Sequence, residues 1–248
     1  LRRFWVVGGA ARNGQSGGGV QIQGGAEVSW SGGGASDHYV EAVEFLGAAV
    51  RVTDSALTGT GLSWVLSECR VDQAAVGGAL AAFNSTVELR KVVATLNVSD
   101  GPMAGGTLFT DAGERVLENA YVGHNYTSGQ DVLGTGVAVL SGTATVRNTD
   151  FIGNQADGSL ACAFDVCALS GSLTVTHSNA WKNLSNGVEQ PRGADGMLQV
   201  DPGYLDLQTL DLTLTEASEL IDAGDPDLKD VDGSVSDIGA YGGPNSPW

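Results

Sequence analysis

Short runs of alternating apolar and polar residues recur at a fixed spacing through the middle of the chain. Ser141-Gly142-Thr143-Ala144-Thr145-Val146-Arg147-Asn148 and Ser170-Gly171-Ser172-Leu173-Thr174-Val175-Thr176-His177 share one pattern at an offset of 29 residues. The same step aligns Gly113/Gly142/Gly171, Leu117/Val146/Val175 and Asn125/Asn154/Asn183. A weaker copy, with Leu89 and Asn97, precedes them after a gap of 28. Each copy reads as a glycine turn, an alternating strand, a second apolar element and an asparagine. Period-two alternation buries one face of a strand and wets the other. One such unit cannot cover its own apolar face, but stacked units can, with successive strands pairing in parallel about 4.8 Å apart. The expected fold class is therefore all-β: a right-handed parallel β-helix, or solenoid.

The expected organisation has three parts: coils of about 29 residues over 45–185, an irregular glycine-rich stretch over 1–44, and an acidic coil and cap over 186–248. Val20-Gln21-Ile22-Gln23, Val50-Arg51-Val52-Thr53 and Val65-Leu66-Ser67-Glu68-Cys69-Arg70 read as strands, but before Leu89 the spacing no longer follows 29. These segments are expected to be coils or half-coils with different loop lengths, and the first 40 residues short coils, a cap or an arm. Asn97, Asn125, Asn154 and Asn183 suit left-handed turn positions and, recurring on every coil, a ladder of amide hydrogen bonds along the axis. That structural role is preferred to a catalytic one.

Composition supports the same picture. Glycine accounts for 37 of 248 residues, and charged residues for 17%, against about 25% in an ordinary domain. Interior glycines disfavour long helices, and no run of 18 apolar residues suggests a transmembrane helix. The net charge of -17 repels nucleic acid and anionic membranes and favours cations, calcium above all. The chain begins at Leu1 rather than methionine, as expected of a processed or partial product already without any export signal. Cys162 and Cys167 either close a small disulfide loop, in keeping with an oxidising compartment, or are buried thiols like Cys69.

The acidic end carries the most specific pattern: Asp201-Pro202, Asp206, Ser218, Ile221-Asp222, Gly224, Asp230, Asp232-Gly233 and Asp237-Ile238-Gly239-Ala240-Tyr241. It resembles the closing coil of a family of exported bacterial right-handed parallel β-helix repeat proteins, over about the last 45 residues, although Gly242 stands where that family often has Glu. The resemblance implies an extracellular or cell-surface β-helix, often one module of a larger protein, and carries fold far better than chemistry. Asp225, Asp227, Asp230, Asp232 and Asp237 fall within 13 residues. Crowded carboxylates suit calcium, with six to eight oxygen ligands, though the full calcium-loop pattern is missing. The competing account is a set of Asx turns in which each aspartate bonds its own backbone.

Other candidates are weaker. Arg147 or Lys182 with Asp150 or Asp165 is the combination a polysaccharide lyase acting on an acidic glycan would need. Asp131, Asp150, Asp157 and Asp165 are the carboxylates available to a hydrolase. His38, His124 and His177 lack metal-ligand spacing and are expected at the surface or in turns. Trp5, Trp30, Trp64, Trp181 and Trp248 would stack on sugars if exposed, but are expected in core or cap positions. Thr143/Ser172 and Thr145/Thr174 form too short a ladder for an ice-binding face. The functional expectation is a non-catalytic surface module, adhesin-like or an assembly component. Its partners would be other surface proteins or glycans, with assembly through the N-terminal end; a lyase is the runner-up.

Overall fold

The computed structural model describes residues 2–8, 10–12, 19–42, 46–47, 49–71, 75–101, 103–160, 166–186, 188–189 and 197–244. The fold is all-β, without a helix among the described residues, and its strands stack in parallel as a β-solenoid. Among the described residues no helix is therefore long and apolar enough to cross a membrane. Two large sheets, of 12 and 11 strands, run the length of the stack.

The winding is more even than the sequence pattern suggests. Arg2, Ser31, Thr60, Arg90, Glu118, Arg147 and Thr176 lie on one another in successive coils, at strides of 28 to 30 residues. Strand Arg2–Val7 and the glycine-containing strand Glu27–Ser36 belong to the same sheet as the later coils. Strands Val50–Thr53 and Ala56–Val65 keep the register that the residues before Leu89 hide. It is hidden because the strides there are 29 and 30 and because different residue types fill equivalent positions.

The corners explain how so many types are tolerated. Gly8, Asp37, Leu66, Leu96, His124, Gly153 and Lys182 form one corner column, all with φ between 53° and 67°. Arg3, Gly32, Gly61, Lys91, Asn119, Asn148 and His177 form a second, all with positive φ. A left-handed residue turns the strand abruptly; it costs a non-glycine residue about 1 kcal/mol or more, which the pairing on both sides offsets. The four ladder asparagines are not themselves left-handed, contrary to expectation. In each case the preceding residue takes that conformation, leaving the asparagine amide free to bond along the axis. The stack Gly113/Gly142/Gly171 does need glycine: a Cβ on Gly142, at φ 90°, would lie 2.4 Å from the Gly113 carbonyl oxygen.

Inside, the largest side chains are set against small or medium ones on adjoining coils. Trp64 lies between Ala35 and Ala94, Phe151 between Val122 and Ala180, and Trp30 against Gly59. Volume is thus balanced coil by coil, as dense packing requires. Leu89, Leu117, Val146 and Val175 form a continuous aliphatic column.

The C-terminal segment caps the stack and then doubles back along it. Met197 joins the core, and Leu198 pairs in parallel with Asn179 of the last coil. The hairpin Tyr204–Asp206/Asp211–Leu214 follows. Residues to 244 then run as a strap over the outer flank of earlier coils, where Lys91 Nζ donates to the Gly243 carbonyl at 3.2 Å.

Candidate functional site

The asparagine ladder is complete and buried. Asn97 Nδ2 donates to Asn125 Oδ1 and Asn125 Nδ2 to Asn154 Oδ1, each at 3.0 Å, and Asn154 Nδ2 to Asn183 Oδ1 at 3.3 Å. Each Oδ1 also accepts the backbone N–H of the residue one coil below, beginning with Ser67 on Asn97. The second N–H of each amide goes to a backbone carbonyl: Trp64, Ala94, Val122 and Phe151 in turn. The side chains are fully used and enclosed, which suits structure and not catalysis. His38 precedes the ladder and is buried, with Nε2 donating to the Val6 carbonyl at 3.1 Å; it is not a surface residue. His124 and His177 sit at left-handed corners, and burial lowers the pKa of His124.

The strap is where the acidic motif acts. Asn119 and Asn148, on consecutive coils, both donate through Nδ2 to Ser236 Oγ, at 3.0 and 3.1 Å. Asn148 Oδ1 accepts the Asp225 N–H at 2.7 Å, and its carbonyl accepts that of Gly239. Arg147 links strap to coil, donating to Glu118 Oε2 at 2.6 Å and to Asp225 Oδ2 at 3.1 Å. Glu118, nearly enclosed, also meets Arg90 at 3.3 Å, and Arg90 in turn pairs with Glu88. Burial works to lower the Arg147 pKa, but the bonds to Glu118 and Asp225 outweigh it and the net shift is upward.

The five candidate calcium ligands do not converge. Asp225 Oδ1 accepts the Asp227 N–H, the leading cause of its lowered pKa. Asp230 accepts the N–H groups of Gly243 and Asp237 on its two oxygens. Asp232 accepts both the N–H and the hydroxyl of Ser234, which lower its pKa. Asp237 accepts the Asp222 N–H, while burial raises its pKa. Asp227 lies on an exposed turn. Among the described residues no three His, Cys, Asp or Glu side chains are placed to share a metal ion. Asp225 and Asp232 thus make Asx turns, whereas Asp230 and Asp237 tie together backbone segments 7 to 15 residues apart.

Among the described residues the lyase set does not assemble either. Asp150 is fully buried beneath the strap, accepting the Tyr204 hydroxyl at 2.7 Å and Asn179 Nδ2 at 2.9 Å. Burial pushes its carboxyl up to about 6, against the lowering effect of those bonds. Tyr204 packs edge-on against Tyr121, ring centroids 5.7 Å apart. Arg147 is committed elsewhere, Lys182 lies over the Trp181 ring at 5.4 Å, and Asp165 falls outside the described residues. On the outer face of the second sheet, Asp100, Ser128 and Asp157 stack on consecutive coils. There Ser128 donates to Asp100 at 2.8 Å, and Tyr126 and Gln155 donate to Asp157 at 3.0 and 2.9 Å. Asp100 escaped sequence reasoning because only the 28- and 29-residue strides place it in line with Asp157. Asp131 is exposed at the end of its strand.

Cys167 is disulfide-bonded, whereas Cys162, the expected partner, lies outside the described residues. Cys69 is buried, and burial pushes its thiol up to about 12. Of the tryptophans, Trp30 and Trp64 are core residues and Trp5 is exposed; Trp248 lies outside the described residues. No family model, curated protein or solved structure matches the chain.

Proposed function

We propose that the chain is a non-catalytic structural or interaction module of an extracellular or cell-surface protein: a stiff β-solenoid closed at one end and adhesive at the other. The observation that carries this reading is an exposed apolar group on one strand; other exposed apolar residues, among them Leu66, Leu169, Leu205 and Val231, are scattered over later coils and the C-terminal segment. Large apolar side chains cluster on the first coil, where Phe4, Trp5 and Val7 are 43%, 52% and 64% exposed. Among the described residues their strand, Arg2–Val7, pairs with Glu27–Ser36 and with no other strand. An unprotected, apolar edge strand is a template for a further strand. The far end is sealed by Met197 and the strap. The disulfide at Cys167 and the resemblance of the acidic end to exported β-helix proteins support an oxidising, extracellular setting. The partner would be another surface protein, a further β-coil above all; glycans are the alternative class.

Sedimentation across a concentration series tests the adhesive edge. The expected result is self-association, or capture of a β-coil partner, that Trp5→Lys with Val7→Lys abolishes without lowering the melting temperature. A strictly monomeric chain that binds neither surface proteins nor glycans counts against the reading. The competing lyase needs an available base beside a substrate carboxylate. The engagement of Arg147 with Glu118 and Asp225 disfavours it, and release of unsaturated products from an acidic polysaccharide would establish it.

A further inference from the structure

One inner column of the stack contains a residue foreign to an apolar interior. Val28, Leu57, Val87, Arg115, Ala144 and Leu173 follow one another on successive coils, and Arg115 is 2% exposed. Its Nη1 donates to the Phe109 carbonyl at 3.0 Å. Nε and Nη2, equally enclosed, have no acceptor. The neighbouring inner column runs Val52, Ala82, Thr110, Val139, and the buried Thr110 hydroxyl also lacks a partner. Phe109 and Thr110 share the peptide group that Nη1 grips, so the guanidinium head lies beside Thr110. Two sets of unpartnered polar atoms thus lie on neighbouring inner columns of the same coil, with the small side chains Ala82 and Ala144 on adjoining coils.

The charge needs an answer as well as the donors. Burial is the sole cause that lowers the Arg115 pKa, to about 9, and no acid contributes; at neutral pH the guanidinium remains charged. A water molecule would satisfy hydrogen bonds and leave a bare cation in apolar surroundings. A small anion would satisfy both. A dianion such as sulfate would reverse the imbalance and demand more room. We propose that the solenoid lumen holds a monovalent, halide-sized anion, bound by Arg115 Nε and Nη2 and by Thr110 Oγ1.

The test uses the whole chain and halide salts. In melts at matched ionic strength, the midpoint should rise with chloride over gluconate by the logarithmic dependence of ligand linkage, and Arg115→Met should remove that rise. If Arg115→Met does not fold, Thr110→Val should weaken the dependence. Crystals grown in bromide should show an anomalous peak within hydrogen-bonding distance of Arg115, and that peak upholds the site even where the midpoint shift is small. A midpoint that follows ionic strength alone, with only water density beside Arg115, overturns the proposal. So does an unaltered chloride dependence in Arg115→Met.

Discussion

Replacing Asn125 with alanine removes the middle of the buried ladder, and its cost can be worked from the bonds. Asn125 is 1% exposed. Its Oδ1 accepts the Asn97 N–H and Asn97 Nδ2, and its Nδ2 donates to Ala94 and to Asn154 Oδ1. Truncation leaves the Asn97 N–H enclosed with no acceptor, at about 1–3 kcal/mol. The lost bonds between amides add roughly 1 kcal/mol each, and the void left by the amide adds to the strain. The expected loss is about 3–5 kcal/mol. In urea titrations the midpoint should fall while the slope holds, since the folded architecture and the area exposed on unfolding stay the same. Asn154→Ala should cost about as much, and the double variant less than the sum, because the two share the Asn125–Asn154 bond. A loss below about 1 kcal/mol, or strict additivity, would refute the view that the ladder stabilises the stack as a connected network.

The remaining predictions concern the strap, the corners and the buried acid. Asp150 has a folded pKa of about 6, above the ordinary carboxylate value. Its favourable contribution is therefore complete at low pH and lost as pH rises through about 6, a swing on the order of 3 kcal/mol. Asp150→Asn should flatten the stability–pH profile between about 4 and 7 and raise stability at neutral pH; an unchanged profile defeats the assignment. Arg147→Ala leaves the nearly enclosed Glu118 with one arginine and frees Asp225, so roughly 2–3 kcal/mol and faster proteolysis within 204–244 are expected; an unaltered cleavage rate would show that the strap is held by other contacts. Gly142→Ala sets a Cβ against the Gly113 carbonyl at a left-handed position, and a thermal midpoint lowered by the equivalent of about 2 kcal/mol or more is expected, whereas wild-type stability would mean the coils can slide apart there. With the carboxylates of Asp225, Asp230, Asp232 and Asp237 taken up by backbone amides, adding a chelator should leave the melting midpoint unmoved, and a drop would identify a calcium site.

Legibility followed periodicity. Gly113/Gly142/Gly171, the Leu117 column and the four asparagines could be aligned because identical residues recur at a constant step. The first coils could not, because Gly32, Gly61 and Lys91 meet the same backbone demand with different side chains, and because strides of 28 and 30 blur the repeat. The acidic end was recognisable as a closing element, but the destination of its carboxylates was not. Asp225 was placed in a calcium cluster, and in the structure it grips Arg147, 78 residues earlier in the chain. Asp150 and Arg147, paired on paper as lyase partners three residues apart, project to different neighbours on either side of the left-handed corner at Asn148.

The amino-acid order alone settled that strands recur at a nearly constant step, that each hides one face, and that asparagines line up when the strands are laid together. These are properties of spacing, and spacing is written directly in the chain. Which side chains answer one another across coils was decided only by the tertiary structure. The strap on Asn119 and Asn148, the carboxylate enclosed under Tyr204 and the guanidinium stranded among aliphatic neighbours all depend on residues far apart in sequence. Coulomb and hydrogen-bond energies act over a few ångströms of space, so a linear pattern cannot reveal which charges have been satisfied and which have not.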